Sequence, residues 1–282
     1  MLTALKSSAP TRTHVIVPSQ GIFGVSAVTS LGDEVFVVRY QFYQQVEVYD
    51  ARTFTLQRYI SVPGLGSYWG LAASACAHHR CLCVSDCARN SVHRAELSGS
   101  DVVKLWSVAS GPRGLSVNKA HNVVVVCCYR VNKIQEYTTH GTLVREIPPQ
   151  SVVTNPWHAV QLSTGDYVVI QNTSQGVVSI VRVGEVVRSY HPLRTSDVGE
   201  LGCLGSLAVT KNDDILVGDC ENDRILAMNS SLSSAQQLAL PVDDGILSVW
   251  TSHEVDFTSV NLVEVTEYWS LTVLDDDIEP SA

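Results

Sequence analysis

A short motif recurs along this chain at nearly constant spacing: a small or apolar residue, an apolar residue, then a small one. It reads Gly24-Val25-Ser26-Ala27, Gly70-Leu71-Ala72-Ala73, Gly114-Leu115-Ser116-Val117, His158-Ala159-Val160 and Ser206-Leu207-Ala208-Val209. Positions 25, 71, 115, 159 and 207 are separated by 46, 44, 44 and 48 residues. Self-similarity at such a period marks an array of structural repeats, and it excludes most folds before any single residue is weighed.

Each motif is followed by three further strand signals. Second strands read as Val35–Val38, Leu82–Ser85, Val123–Cys127, Tyr167–Ile170 and Ile215–Gly218. A loop position follows at Tyr40, Asp86, Cys128, Asn172 and Asp219, with an apolar residue six places later in every repeat. Third strands read as Gln45–Tyr49, Val92–Leu97, Ile134–Tyr137, Val178–Val183 and Ile225–Met228. Fourth strands read as Leu56–Val62, Lys104–Val108, Leu143–Ile147, Val186–Tyr190 and Ala235–Leu240. Turn residues such as His140-Gly141 separate them. Four short strands in about 45 residues is the size of a propeller blade.

Two pieces remain outside these five blades. His14-Val15-Ile16-Val17-Pro18 resembles the fourth-strand ending Tyr59-Ile60-Ser61-Val62-Pro63. It therefore reads as an orphan fourth strand. Ile246–Val249, Val260–Val265 and Trp269–Leu274 then supply three strands for it to close. Closure of this kind removes an open sheet edge. The expected fold is all-β, a six-bladed β-propeller with five clear four-stranded blades and a divergent sixth. It spans residues 14–274 as one domain, with an acidic tail over residues 275–282.

The loop Val217-Gly218-Asp219-Cys220-Glu221-Asn222-Asp223-Arg224-Ile225 resembles the NHL-repeat signature, an Asp, then Asn, then Arg-Ile at fixed offsets. Val84 to Val92 is a weaker copy. Trp69-Gly70-Leu71-Ala72, Pro112-Arg113-Gly114-Leu115 and Pro156-Trp157-His158-Ala159 are similar to that family's inner-strand starts. The resemblance covers residues 14 to 241. It implies a scaffold for protein binding or, in some members, RNA binding. Relatives often carry the propeller behind other modules, as in tripartite-motif ubiquitin ligases. No ring-type Cys/His spacing occurs here, so ligase activity is not carried over.

Charge is divided unevenly. Residues 1–241 hold 18 acidic and 19 basic side chains, whereas residues 242–282 hold 10 acidic and no basic ones. A nearly neutral body does not favour nucleic acid, because dedicated binders show a basic excess. The longest apolar run, Val123 to Cys128, is too short to span a membrane. Met1 to Pro10 lacks the apolar stretch of a signal peptide. A cytoplasmic, monomeric protein is expected, and its eight cysteines are expected as reduced thiols.

Chemistry-bearing motifs are sparse. No G-x-S-x-G elbow, phosphate loop or H-E-x-x-H helix occurs. His78, His79, Cys81, Cys83 and Cys87 form the densest metal-like cluster, but a second correctly spaced Cys pair is missing. Asp86 and Asp219 read as acceptors for loop N–H groups. No catalytic residue, metal or cofactor is assigned. Aromatic and basic residues instead gather in the loops of one face. The candidate partner-binding residues are Arg39, Phe42, Tyr43, Arg89, Arg113, Tyr129, Arg130 and Trp157. Exposed aromatic and Arg side chains are the usual anchors of interfaces. The leading function is a non-enzymatic scaffold binding a protein partner through this face. Single-stranded RNA on the same face is the second reading. A calcium-dependent, gluconolactonase-like hydrolase is the third, opposed by the lack of converging carboxylates.

Overall fold

The computed structural model describes residues 12–16, 25–39, 44–66, 73–97, 103–127, 131–147, 153–173, 175–182, 185–190, 198–210, 212–238, 246–251, 260–264 and 269–274. Every regular element among the described residues is a β-strand. The first described strand is β1 (Arg12–Ile16). Blade one is β2 (Val25–Leu31), β3 (Glu34–Arg39), β4 (Gln45–Asp50) and β5 (Leu56–Ser61). Blade two is β6 (Ala73–Cys76), β7 (Cys81–Asp86), β8 (Ser91–Glu96) and β9 (Val103–Ser107). Blade three is β10 (Pro112–Val117), β11 (Val123–Cys127), β12 (Lys133–Tyr137) and β13 (Leu143–Ile147). Blade four is β14 (Pro156–Gln161), β15 (Tyr167–Gln171), β16 (Val177–Arg182) and β17 (Glu185–Tyr190). Blade five is β18 (Leu204–Val209), β19 (Ile215–Asp219), β20 (Arg224–Met228) and β21 (Ala235–Gln237). The last strands are β22 (Ile246–Thr251), β23 (Val260–Glu264) and β24 (Trp269–Leu274).

Each of the five blades is an antiparallel sheet in chain order. The middle strands explain why. In β11, Val123 and Val125 face a core shared with Cys81, Cys83 and Leu115 of blades two and three. Val124 and Val126 face the opposite core, with Ala159, Tyr167 and Val169 of blade four. A strand covered on both faces has no place for polar alternation, so it reads as an unbroken Val run. Blade two repeats the pattern: Cys81 and Cys83 face blade three, while Leu82 and Val84 pack with Phe36, Val38 and Val48 of blade one. Each buried Val contributes about 1.5 kcal/mol of hydrophobic stabilisation before chain entropy is counted. The outer strands β5, β13 and β17 are mostly exposed.

The chain is therefore an all-β propeller. Its first strands run round the axis, β2 beside β6, then β10, β14 and β18. Five blades are described with their side chains, against an expected six of which the last was to be divergent. The remaining sheet, in the order β1-β24-β23-β22, is described by its strand pairing alone. In it, β1 pairs antiparallel with β24, so the N-terminal strand does take the outer position. Residues 275–282, the expected acidic tail, lie outside the described residues.

Register corrects two equivalences drawn from spacing. Val28, Ala73, Leu115, Ala159 and Leu207 occupy one column, opposite Val37, Val84, Val125, Val169 and Val217. The motif anchors of blades one and two thus move from Val25 and Leu71 to Val28 and Ala73. A β-bulge or similar irregularity marks the start of β2, β10, β14 and β18, where one extra residue enters the first strand. The loop positions Tyr40, Cys128 and Asn172 also shift by one. The residues equivalent to Asp86 and Asp219 are Arg39, Cys127 and Gln171. The connection to the third strand holds five residues in blades one, three and four, and four residues in blades two and five.

Candidate interaction face

Because neighbouring strands are antiparallel, the second-to-third-strand turns and the loops leading into each first strand open on the same face. The second-strand end position ties these two loop sets together. Asp219 Oδ1 accepts the Gly202 N–H at 3.1 Å. Its Oδ2 accepts from Asn222 Nδ2 and Arg224 Nε, both at 2.9 Å. Arg224 extends the tie by donating to the Val198 and Glu200 carbonyls. Asp86 does the same work in blade two, accepting the Gly66 N–H at 2.7 Å and the Arg89 N–H at 3.0 Å. Burial pushes the Asp86 carboxyl up. The His93 ring 3.4 Å away and the bonds from Gly66 and Arg89 outweigh that and hold it at about 2. Blade four uses an amide, with Gln171 Oε1 accepting the Thr154 N–H at 2.8 Å. In blade three Gln135 of the third strand accepts the Ala109 N–H at 3.0 Å. Asp86 and Asp219 are thus braces, as their loop positions imply.

The β-bulges decide what the face presents. Trp157 is the extra residue of β14, and Arg113 lies in the irregular start of β10. A bulge re-aims its side chain out of the regular pleat. Here the Arg113 guanidinium sits over the Trp157 ring, 4.7 Å from its centroid, joining blades three and four. Trp157 also packs partly against the core of blades four and five.

Beneath this pair lies His158. Its Nε2 donates to the Leu115 carbonyl of blade three at 2.9 Å. Its Nδ1 accepts the Leu207 N–H of blade five at 3.2 Å. A carbonyl only accepts and an amide N–H only donates, so the neutral Nε2-H tautomer is fixed. Burial pushes this ring down to about 4, against the opposing pull of the Leu115 bond. Ser116 Oγ adds a bond to the Ala159 carbonyl at 2.8 Å. Space for the imidazole comes from Gly114, where a Cβ would lie 2.6 Å from the Trp157 carbonyl oxygen and 2.7 Å from the His158 Cα.

The expected anchors divide into three groups. Arg113 and Trp157 are brought together and half-buried. Arg89 is exposed, with Nη1 3.3 Å from Asp86. Arg39 is not the exposed cation expected: its Nε donates to Glu47 at 2.8 Å, and its side chain is only 12% exposed. The same Glu47 oxygen takes the Tyr49 hydroxyl, so Arg39 and Tyr49 share one carboxylate. Phe42, Tyr43, Tyr129 and Arg130 lie outside the described residues. The role of His158 was missed from sequence. Its one signal is a large polar residue in a column otherwise filled by Ala27, Gly114 and Ser206. Among the described residues no three His, Cys, Asp or Glu side chains converge as a ready-made metal site. No described helix is long and apolar enough to cross a membrane. Cys76, Cys81, Cys83, Cys87, Cys203 and Cys220 are free thiols.

Solved structures agree on the fold. A streptogramin B lyase structure superposes with a TM-score of 0.66 at 12% identity, covering 95% of this chain and 89% of that one. A catalytically inactive virginiamycin B lyase from Staphylococcus aureus with quinupristin gives 0.65 at 11% identity, with the same coverage. The WD40 β-propeller domain of Doa1 gives 0.61 at 12% identity, covering 93% of this chain and 96% of that one. Neither a family model nor a curated protein matches the sequence. At such identities the likeness is one of fold: the chain is similar to β-propellers of both catalytic and WD40 type.

Proposed function

We propose that this chain is a non-catalytic propeller scaffold of NHL type that binds a protein partner on the face carrying Arg113, Trp157 and Arg89. The carrying observation is the half-buried Arg113–Trp157 stack on the bulged first strands. Arg and Trp are the residue types that dominate interface energetics when water is shut out around them. The polar groups beside the stack support binding over chemistry. Both His158 nitrogens are held by backbone groups, which leaves neither to move a substrate proton. Asp86 and Asp219 are likewise engaged with loop N–H donors. In this reading the sheet β1-β24-β23-β22 serves as a sixth blade, since β22 lies beside both β18 and β2.

The test begins with a partner captured by the wild-type chain from its source cells and then purified. Arg113→Ala is expected to weaken that complex by about 2 kcal/mol, roughly thirtyfold, and Arg89→Ala by less. Unchanged affinity in both variants, with circular dichroism showing an intact fold, would remove this face from the proposal. Cleavage of quinupristin by the wild-type chain would overturn the non-catalytic reading outright.

A further inference from the structure

Four histidines meet on the opposite face of the ring, at the seam of blades two and three. His78 and His79 lie in the turn between β6 and β7, His121 in the turn between β10 and β11, and His140 in the turn between β12 and β13. The His78 and His121 rings stack with centroids 4.5 Å apart and planes 13° apart. His79 stands edge-on to His78 at 4.7 Å and faces His140 at 5.8 Å. The sequence motif that paired His78 and His79 with cysteines therefore finds different neighbours in space. Cys76 and Cys81 are buried beneath the turn. Cys76 is pushed well above the ordinary thiol range by its bond with Cys81 and by burial, so it stays protonated.

The backbones that carry these rings are fixed. Arg80 N–H donates to the Ala77 carbonyl at 3.0 Å. Asn118 Oδ1 accepts the Ala120 and Asn122 N–H groups, and both Asn118 and Asn122 donate to Glu136 at 2.7 Å. Thr138 accepts the Gly141 and Thr142 N–H groups. The His78, His121 and His140 side chains are exposed on this frame. Among the described residues no carboxylate forms an ion pair with any of the four. The nearby Arg94 is paired with Glu96.

Neutral imidazole is the commonest ligand for borderline divalent metals. Two such rings on rigid turns, with centroids 4.5 Å apart, stand close enough to share one ion once they turn. We propose that His78 and His121 chelate a divalent transition metal of the Zn²⁺, Cu²⁺ or Ni²⁺ class. Rotation about χ1 and χ2 turns the stacked rings until their nitrogens converge. Water completes the shell, since no three such side chains converge among the described residues. Such an ion cross-links two blades on the side of the ring away from the proposed partner surface, so the two proposals stand or fall separately.

The experiment is calorimetric titration of the full chain with Ni²⁺ at pH 7.5. A Cys203→Ser background removes the thiol that is exposed among the described residues. One saturable site per chain is expected. His78→Ala and His121→Ala should each weaken it by about tenfold or more, and His140→Ala by less. Lowering the pH to 5.5 should also weaken it by about tenfold or more, because protons compete for imidazole. Metal-free thermal unfolding of each variant checks that the fold is kept, and His121→Gln serves if His121→Ala does not fold. Absence of a saturable site, or affinity unchanged in both His78→Ala and His121→Ala, would overturn the proposal.

Discussion

The rim of blade five and the axis between blades three and four meet one requirement in opposite ways. Both must hold a first strand in place against its neighbours. At the rim, Asp219 and Arg224 do so with charge: a buried carboxylate, a buried guanidinium and two backbone carbonyls. At the axis, His158 and Gly114 do so with shape and a neutral ring. Charge at the rim is confined to one blade, so a repeat can copy it, as Asp86 does in blade two. The axis fit needs three blades at once, since Leu115, His158 and Leu207 come from consecutive blades. It is a single solution.

The largest effect is expected at the rim. Asp219→Ala leaves Arg224 buried with only carbonyl partners, and removing one member of a buried ion pair costs roughly 3–5 kcal/mol. Urea unfolding should register a loss in that range. Blade four suggests the repair, because Gln171 performs the same tie opposite Val177 without charge. A variant with both Asp219→Gln and Arg224→Val should recover most of the loss. If the double variant is as unstable as Asp219→Ala, the two blades are not interchangeable and the comparison fails.

Next comes the axis. Gly114→Ala places a methyl 2.6 Å from the Trp157 carbonyl and 2.7 Å from the His158 Cα. Backbone atoms cannot swing aside as a side chain can, so overpacking should cost about 3 kcal/mol by urea unfolding. A loss below about 0.5 kcal/mol would mean that the seam yields, and the argument from fit would be lost.

These two ties also differ in how far sequence reveals them. The rim tie is visible because the Asp219, Asn222 and Arg224 spacing lies within one turn and has a partial copy at Asp86. Strand number and order are visible for the same reason, since each blade repeats its neighbour. The bulges are not, because an extra residue at a strand start looks like ordinary variation in loop length. Their side chains, Arg113 and Trp157, could be named as candidates, but not as stacked on each other. Arg39 was misjudged because its acceptor, Glu47, lies on the next strand, and a local reading does not pair residues across a turn. Contacts between blades, such as Ser116 with Ala159 or His78 with His121, join residues over 40 positions apart.

The smallest effects, and the most discriminating, are the pH dependences of the two ties. His158 sits at about 4 in the fold against 6.5 for an ordinary histidine. Above pH 6.5 the ring is neutral in both folded and unfolded chains, and the axis tie is intact. As the pH falls from 6.5 toward 4, the unfolded chain takes up a proton that the folded chain refuses, so stability declines and levels off below 4. Asp86 sits at about 2 against an ordinary 3.8. Its contribution is present above pH 3.8 and is lost as the pH falls from there toward 2. Each window should carry roughly 2–3 kcal/mol. The axis and the rim are thus separable in one series of urea unfolding curves. His158→Asn should flatten the window between pH 6.5 and 4 and leave the lower one, and Asp86→Asn should do the reverse. If His158→Asn left the upper window unchanged, the acid sensitivity would belong to other groups. The neutral ring would then no longer be what holds blades three, four and five together at the axis.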